Sequence, residues 1–458
     1  MKPTVIIMML WATISLSLGI DLEQSIDLAR ENNKALLMAR EEVLKADQTY
    51  KDVRGNLFPQ LKLVGGYQLA KTYLPDSALP SPMNFSLGLD SLATYNDHYL
   101  AGSLSGIVNS LIPSSPMNEG SLGLSLQLDQ VLFTGGKLLN GVRSVDRFRA
   151  IQRLNYQLKE QDVVLNTAKM FYACLLSEKF VDVQTEALGT ARLHLTRVDS
   201  FAEEGMVSEF DLLRARLEIA KLEPQMVQAE NTYQLALAAF RTQIGAPASD
   251  LVPEGTFVLP PELDITLEEA LRQGTENRLE LQMAEIATQV AELQWKTEKG
   301  NFLPNLGLQA SASLYTAADE FAIVKDDFGS NYSVGLGISV PLFTGFSNAA
   351  KRSAARHDYQ YAKLQQQDYE DLIRLEITQN YQKLRHAEEN LRVQAQNIQM
   401  AERGLQLAQI RYENQMGIQL EVFDALTTLS AIKLQYFQAI YEVISATREL
   451  QRALGIRL

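Results

Sequence analysis

Between Ser121 and Gly136 the chain reads SLGLSLQLDQVLFTGG, and this alternation restricts the possible folds more than any other stretch. Leu122, Leu124, Leu126 and Leu128 alternate with Gly123, Ser125, Gln127 and Asp129. Successive side chains of a β-strand point to opposite faces, so one face here is leucine alone and the other is small or polar. The first suits lipid and the second suits water. At Leu132-Phe133-Thr134-Gly135-Gly136 the alternation breaks and a long helical pattern follows. The same events recur from Asn331 to Phe346, where Tyr332, Val334, Leu336, Ile338 and Val340 alternate with Ser333, Gly335, Gly337 and Ser339. Any fold must accommodate two membrane-type strands, each feeding a long helix.

The recurrence extends along the chain. LEQSIDLARENNKAL from Leu22 matches LEEALRQGTENRLEL from Leu267, an offset of 245 (267 minus 22). The offset holds for Leu57-Phe58-Pro59-Gln60-Leu61 against Phe302-Leu303-Pro304-Asn305-Leu306. From Phe133 against Phe343 onward it becomes 210, and Ala215 against Ala425 keeps that value. The difference of 35 residues (245 minus 210) falls in Lys71 to Gly120, a Pro-, Ser- and Asn-rich segment read as a long hairpin loop. Each copy then has the order helix, strand, loop, strand, long helix, return helix. The expected organisation is a signal peptide over 1–19, a first repeat over 20–245, an equatorial linker over 246–266 and a second repeat over 267–458. Strands are expected at about 59–70 and 121–132, and at about 304–314 and 331–342, with long helices over 137–204 and 347–414.

Strands of about ten residues match a tilted transmembrane strand, but a membrane barrel needs at least about eight of them. Four strands from one chain therefore demand an oligomer. The proline-free run from Lys137 to Glu204 extends roughly 100 Å at ~1.5 Å per residue. Ile377, Leu384, Leu391, Ile398 and Leu405 recur every seventh residue, and the 210 offset carries them to Thr167, Cys174, Val181, Leu188 and Leu195. This is the seam of coiled-coil-like helices. The return helices, about Ser208 to Gln243 and Gln419 to Leu454, and the leading helices, Leu22 to Arg54 and Leu267 to Lys299, are half as long. Stacked end to end, one of each matches one long helix. Pro224 is a kink candidate in the first return helix.

Composition excludes several functions. A net charge of -13 argues against nucleic acid, which is bound through clustered Lys and Arg. One cysteine, Cys174, and four scattered histidines, His98, His194, His357 and His386, offer no disulfide framework, no metal-ligand spacing and no nucleophile, base and orienter constellation. No enzyme, metal or cofactor is expected, and Cys174 reads as a packed hydrophobe. Lys2, the apolar run Ile6 to Trp11 and Ser17-Leu18-Gly19 read as a secretory signal peptide cleaved near Gly19.

In this arrangement the chain resembles the TolC family of outer-membrane efflux channels. The resemblance rests on the duplicated leading helices, Pro59 and Pro304 opening the first strands, the paired LFTG turns, and the segments Gly205 to Ala215 and Gln415 to Ala425. It covers essentially the mature chain. It implies an α+β fold, with a long antiparallel α-helical coiled-coil barrel continued by four strands per chain of a trimeric twelve-stranded transmembrane β-barrel. It also implies a homotrimer in outer-membrane lipid with a periplasmic helical tunnel, a periplasmic adaptor protein and an inner-membrane pump.

Glu421 and Asp424 are three apart and share a helix face, so threefold repetition would stack two carboxylate rings. Read from the residues alone they better suit a helix N-terminus, where an acidic group contributes ~0.3 to 1 kcal/mol; the resemblance implies a periplasmic gate instead. It further implies a closing contact of Tyr412 with Asp211. The arginine of the family's lock is Gly417 here, which leaves Arg411 or Arg214 as substitutes. The turns Gly205-Met206-Val207-Ser208 and Gln415-Met416-Gly417 are the expected adaptor-contacting tip, with Gln415 standing where a second glycine is expected. The resulting function is the passive outer-membrane conduit of a tripartite export system for drugs or other small molecules. Outlet of a type I protein secretion system and, from another class, a structural periplasmic coiled-coil scaffold are the alternatives.

Overall fold

A computed structural model describes residues 19–71, 95–110, 118–257, 259–261, 263–318 and 328–456. The expected signal peptide lies outside the described residues but for Gly19. The elements are β1 (Gly19–Ile20), α1 (Leu22–Asn32), α2 (Lys34–Gly55), β2 (Gln60–Lys71), α3 (Tyr95–Ser110), β3 (Asn118–Thr134), α4 (Lys137–Glu203), α5 (Glu209–Gln243), β4 (Val252–Pro253), α6 (Leu267–Asn277), α7 (Leu279–Gly300), β5 (Asn305–Ala318), β6 (Gly329–Ser339), α8 (Ser347–Glu413) and α9 (Gln419–Ala453). The fold is α+β. The duplication survives to the residue: α4 and α8 have 67 residues each, α5 and α9 have 35, α2 and α7 have 22, α1 and α6 have 11.

The chain divides into two compact units, 51–142 with 296–352, and the remainder. In the first, the four long strands form one antiparallel sheet in the order β2-β3-β5-β6. Its register confirms the face assignment. Leu63, Leu126, Ala312 and Tyr332 form one row across the sheet, and Leu61, Leu128, Ala310 and Val334 another. The intervening row is Lys62, Gln127, Ser311 and Ser333, where the two serine hydroxyls bond at 2.8 Å. Alternation along each strand thus becomes one apolar and one polar face. Leu132 is the unpaired residue of a bulge between Val131 and Phe133, the point where the alternation fails in the sequence.

Three expectations need correction. The hairpin loop over Lys71 to Gly120 contains α3, and β3 begins already at Asn118. No proline occurs between Pro82 and Pro113, so nothing there interrupts a helical ladder. β6 ends at Ser339 rather than 342, because Pro341 has no N–H to give a ladder. The leading helices are each broken in two, at Asn33 and Arg278, whose extended ψ values are 122° and 125°.

The breaks have one cause. The last carbonyls of a helix lack partners within it. Asn33 turns its amide Nδ2 onto the Gln243 carbonyl at the end of α5 (2.7 Å), and its Oδ1 accepts from Ala35 N–H (2.9 Å). In the second copy Arg278 donates to the corresponding Ala453 carbonyl of α9 (3.4 Å). Each return helix therefore ends against the break between two leading helices. α5 continues through Pro224.

The helical unit holds three cores. Ala29, Leu36, Val163, Phe171, Cys174 and Phe240 make the first-copy core. Ala270, Ile373, Ile377, Leu384, Ala446 and Leu450 make its counterpart. Linker residues Leu251, Val252 and Phe257 pack on the former, Leu263 and Ile265 on the latter, so the linker joins both. Ile20 is anchored there too, with β1 paired in parallel to β4. The third core is formed by α4, α5, α8 and α9 toward their turns, including Val198, Ala215, Tyr412, Val422 and Phe423. The seam residues Thr167 and Cys174 are buried, whereas toward the turn the buried row in α4 is Ala187, Ala191, His194 and Val198 rather than Leu188 and Leu195.

Arg278 is 4% exposed and also pairs with Glu280 (2.9 Å) and Glu376 (2.7 Å), while Arg452 reaches Glu376 (3.3 Å) and Asp162 (2.9 Å). Truncating one member strands partly buried charge. Arg278→Met should cost about 3 kcal/mol, against about 1 kcal/mol for Asn33→Ala, read from denaturant midpoints. Equal losses would show that the ion pairs add nothing to the shared carbonyl bond.

Candidate functional site

α4 and α8 end in the same closure. Gly205 N–H donates to the Ala202 carbonyl (3.0 Å) and Met206 N–H to that of Phe201 (2.8 Å); Gln415 N–H donates to Tyr412 (3.0 Å) and Met416 N–H to Arg411 (2.8 Å). These paired backward bonds terminate a helix through one left-handed residue. That residue is Gly205 at φ +72° in one copy and Gln415 at φ +58° in the other. Glycine adopts this conformation freely, whereas a side chain costs about 1 kcal/mol. Gln415 Nε2 donates to Met206 Sδ at 3.2 Å, which ties the two turns together.

The returning helices start differently. Ser208 caps α5: its Oγ accepts from Asp211 N–H (3.2 Å), and the Asp211 carboxylate accepts from Ser208 N–H (3.1 Å) and Oγ–H (2.7 Å). Ile418, the residue before α9, gives that helix no side-chain cap. Val207 packs on the core beneath, and Met206, Met416 and Ile418 are exposed.

Glu421 and Asp424 sit in the first turns of α9, with the buried Val422 and Phe423 between them. Both carboxylates therefore lie away from the core on one side of the helix. Of the two candidate arginines, Arg411 is the one in an ion pair among the described residues, and its partner is Glu421 (3.5 Å) rather than Asp211; it also donates to the Met416 carbonyl (3.2 Å). Gly417 makes room for this. A Cβ there would stand 3.0 Å from Glu421 Oε2 and 3.1 Å from Arg411 Cβ. The space left at Gly417 is thus bordered by both members of the Arg411 to Glu421 pair.

Tyr412 and Asp211 are brought near each other but not joined by a hydrogen bond. Burial first, and the Asp211 charge second, raise the Tyr412 phenol above its ordinary value. The Tyr412 hydroxyl has no hydrogen-bond partner among the described residues. The Asp211 carboxylate is committed to Ser208.

Sequence reasoning missed His194. Its ring lies 4.8 Å from that of Tyr412 and 5.0 Å from that of Phe423. Burial, and then the Arg197 charge, push it down to about 4. The signal was present in its heptad relation to Ala187, Ala191 and Val198. Cys174 is inert: burial pushes its thiol up to about 12.

A family model, described as outer membrane efflux protein, matches residues 25–246 and 270–456. The chain belongs to the outer membrane efflux protein family. Its relatives include the outer membrane protein TolC of Salmonella enteritidis, 22% identical over 384 residues, covering 82% of this chain and 75% of the relative. The alkaline protease secretion protein AprF of Pseudomonas aeruginosa is 23% identical over 230 residues, covering 49% and 46%. The crystal structure of CusC shares the fold at a TM-score of 0.74 with 17% identity, covering 97% of this chain and 96% of that one. This family member is an outer-membrane protein, and among its described residues no helix is long and apolar enough to cross a membrane.

The asymmetry between the two turns gives a direct test. Gln415→Gly should stabilise the end of α8 by about 1 kcal/mol, and Ile418→Ser should add a cap to α9 of similar size. Hydrogen exchange in the last turn of α8 and the first of α9 should slow accordingly; unchanged exchange would mean that the turns are held from outside the chain.

Proposed function

We propose that the chain is the passive outer-membrane conduit of a tripartite export system, assembled as a homotrimer. The observation that carries this reading is the four-stranded sheet. Its apolar face is open, with Tyr332 76% and Val334 78% exposed, and the outer edges of β2 and β6 have no strand partner among the described residues. Strand direction alternates across β2-β3-β5-β6, so a β2 from a second copy would continue the antiparallel order beside β6. Three copies give a closed barrel of twelve strands, which satisfies every edge in lipid. A second observation agrees. Val393, Met400 and Leu407 form an exposed heptad row on α8, and Phe210, Leu213 and Leu217 an exposed row on α5, the two faces that an intermolecular coiled coil would cover.

In such a trimer Glu421 and Asp424 become two rings of carboxylates where the helices turn, and Tyr412, Asp211 and the Arg411 to Glu421 pair hold the constriction closed. The turns at Gly205 to Ser208 and Gln415 to Gly417 are the surface offered to a periplasmic adaptor, which couples the conduit to an inner-membrane pump. The likeness to AprF, whose name assigns it to protease secretion, supports a second reading in which the cargo is a protein. Loss of the gene then leaves drug susceptibility unchanged and removes a secreted polypeptide, the reverse of the result expected for efflux of small molecules.

In detergent the purified mature protein should have the mass of three copies and give conducting events in planar bilayers. Neutralising both rings with Glu421→Gln and Asp424→Asn should lower the preference for cations severalfold at low salt. Asp211→Ala should raise the resting conductance; an unchanged resting current would remove Asp211 from the closure.

A further inference from the structure

At the turn-proximal core, α4, α8 and α9 meet on one imidazole. His194 is 4% exposed, lies against the rings of Tyr412 and Phe423, and its Nε2 has no hydrogen-bond partner among the described residues. The Tyr412 hydroxyl and both polar atoms of the Gln419 side chain are likewise buried and unpartnered. An unpaired buried polar group is costly, and an unpaired buried cation costs far more. The seam therefore tolerates a neutral imidazole and resists a charged one.

We propose that His194 is an acid-responsive latch, in which protonation of its imidazole drives α4 away from Tyr412 of α8 and Phe423 of α9 and loosens both turns. The effect on conductance rests on the gate proposed above; the loosening itself does not. Arg197, on the same helix, faces the ring and opposes the added charge, although it is itself paired with Glu413 of α8 (2.5 Å). From α5 the Asp211 carboxylate acts on Tyr412, and α9 brings the uncharged Phe423 while its Glu421 is held by Arg411. The packed ring is held down at about 4 against about 6.5 for a free histidine. A histidine lowered in the packed state stabilises that state fully above about 6.5, and the contribution is lost as pH falls toward about 4.

The test uses the full mature protein reconstituted in bilayers, compared at about pH 7.5 and about pH 4.5. Alongside it, hydrogen exchange, corrected for intrinsic rate, is followed in residues 190–204 and 405–416. His194→Phe keeps an aromatic ring without a titrating group, and His194→Gln serves if that variant fails to assemble. Both leave the surrounding carboxylates in place. Acidification should raise exchange in both segments and the resting conductance of the native protein roughly tenfold, and neither in the variants. Acid-induced exchange without added conductance, again lost in the variants, upholds the latch and overturns the gate. Exchange that ignores pH, or rises equally in the variants, overturns the latch.

Discussion

Within a bilayer no water satisfies a backbone N–H or C=O, so whatever part of this protein lies in hydrocarbon must pair its own main chain. The four strands β2, β3, β5 and β6, paired in one antiparallel sheet with an apolar face, are the elements suited to that pairing. The rest of the organisation follows from that constraint. The sheet needs an apolar face for lipid, hence strict alternation in four strands. Its edges would be closed in lipid by other copies of the chain, as in the proposed trimer. Each pair of strands is continued by helices whose apolar rows repeat every seven residues, so the symmetry demanded by the strands can also be met by the helices.

Duplication supplies these parts twice, and the two copies have diverged where they turn. The first turn has Gly205 in the left-handed position and Ser208 with Asp211 as a reciprocal cap. The second puts Gln415 in the same conformation and starts α9 after Ile418 without a side-chain cap. The second turn is thus the weaker one by local criteria, and it is the one adjoining Glu421 and Asp424. In the proposed gate this is the segment that would move, since moving segments are drawn from the less stable end of a structure. The Arg411 to Glu421 pair, accommodated by Gly417, and the tie from Gln415 to Met206 hold that turn through exposed contacts. Exposed ion pairs contribute at most about 1 kcal/mol each, so these contacts hold the turn lightly.

At the other end of the helical bundle the interactions are of a different kind. Arg278, Arg452, Glu280, Glu376 and Asp162 form a connected network that is largely removed from solvent, and Glu449 is bridged by Lys169 and Lys383. The first copy has only Asn33 at the position of Arg278. A neutral amide satisfies one carbonyl; a guanidinium satisfies it and fixes two carboxylates besides. The helical unit therefore pairs one firmly held end with lightly held turns.

Much of this was legible in the residues because it depends on period. Alternation fixed the faces of the four strands, the offsets of 245 and 210 fixed equivalent helices of equal length, and absence of proline fixed the two long helices. A bulge at Leu132 even showed itself as a broken alternation. The breaks at Asn33 and Arg278 were not legible, since each is caused by a carbonyl some 200 residues away in sequence rather than by local propensity (243 minus 33 is 210, and 453 minus 278 is 175). Nor were the partner of Arg411, the commitment of Asp211 to Ser208, or the burial of His194, because each depends on which helix face meets which. Periodicity is carried by neighbours along the chain and can be read there; the pairing of single side chains is decided only when distant faces are packed together.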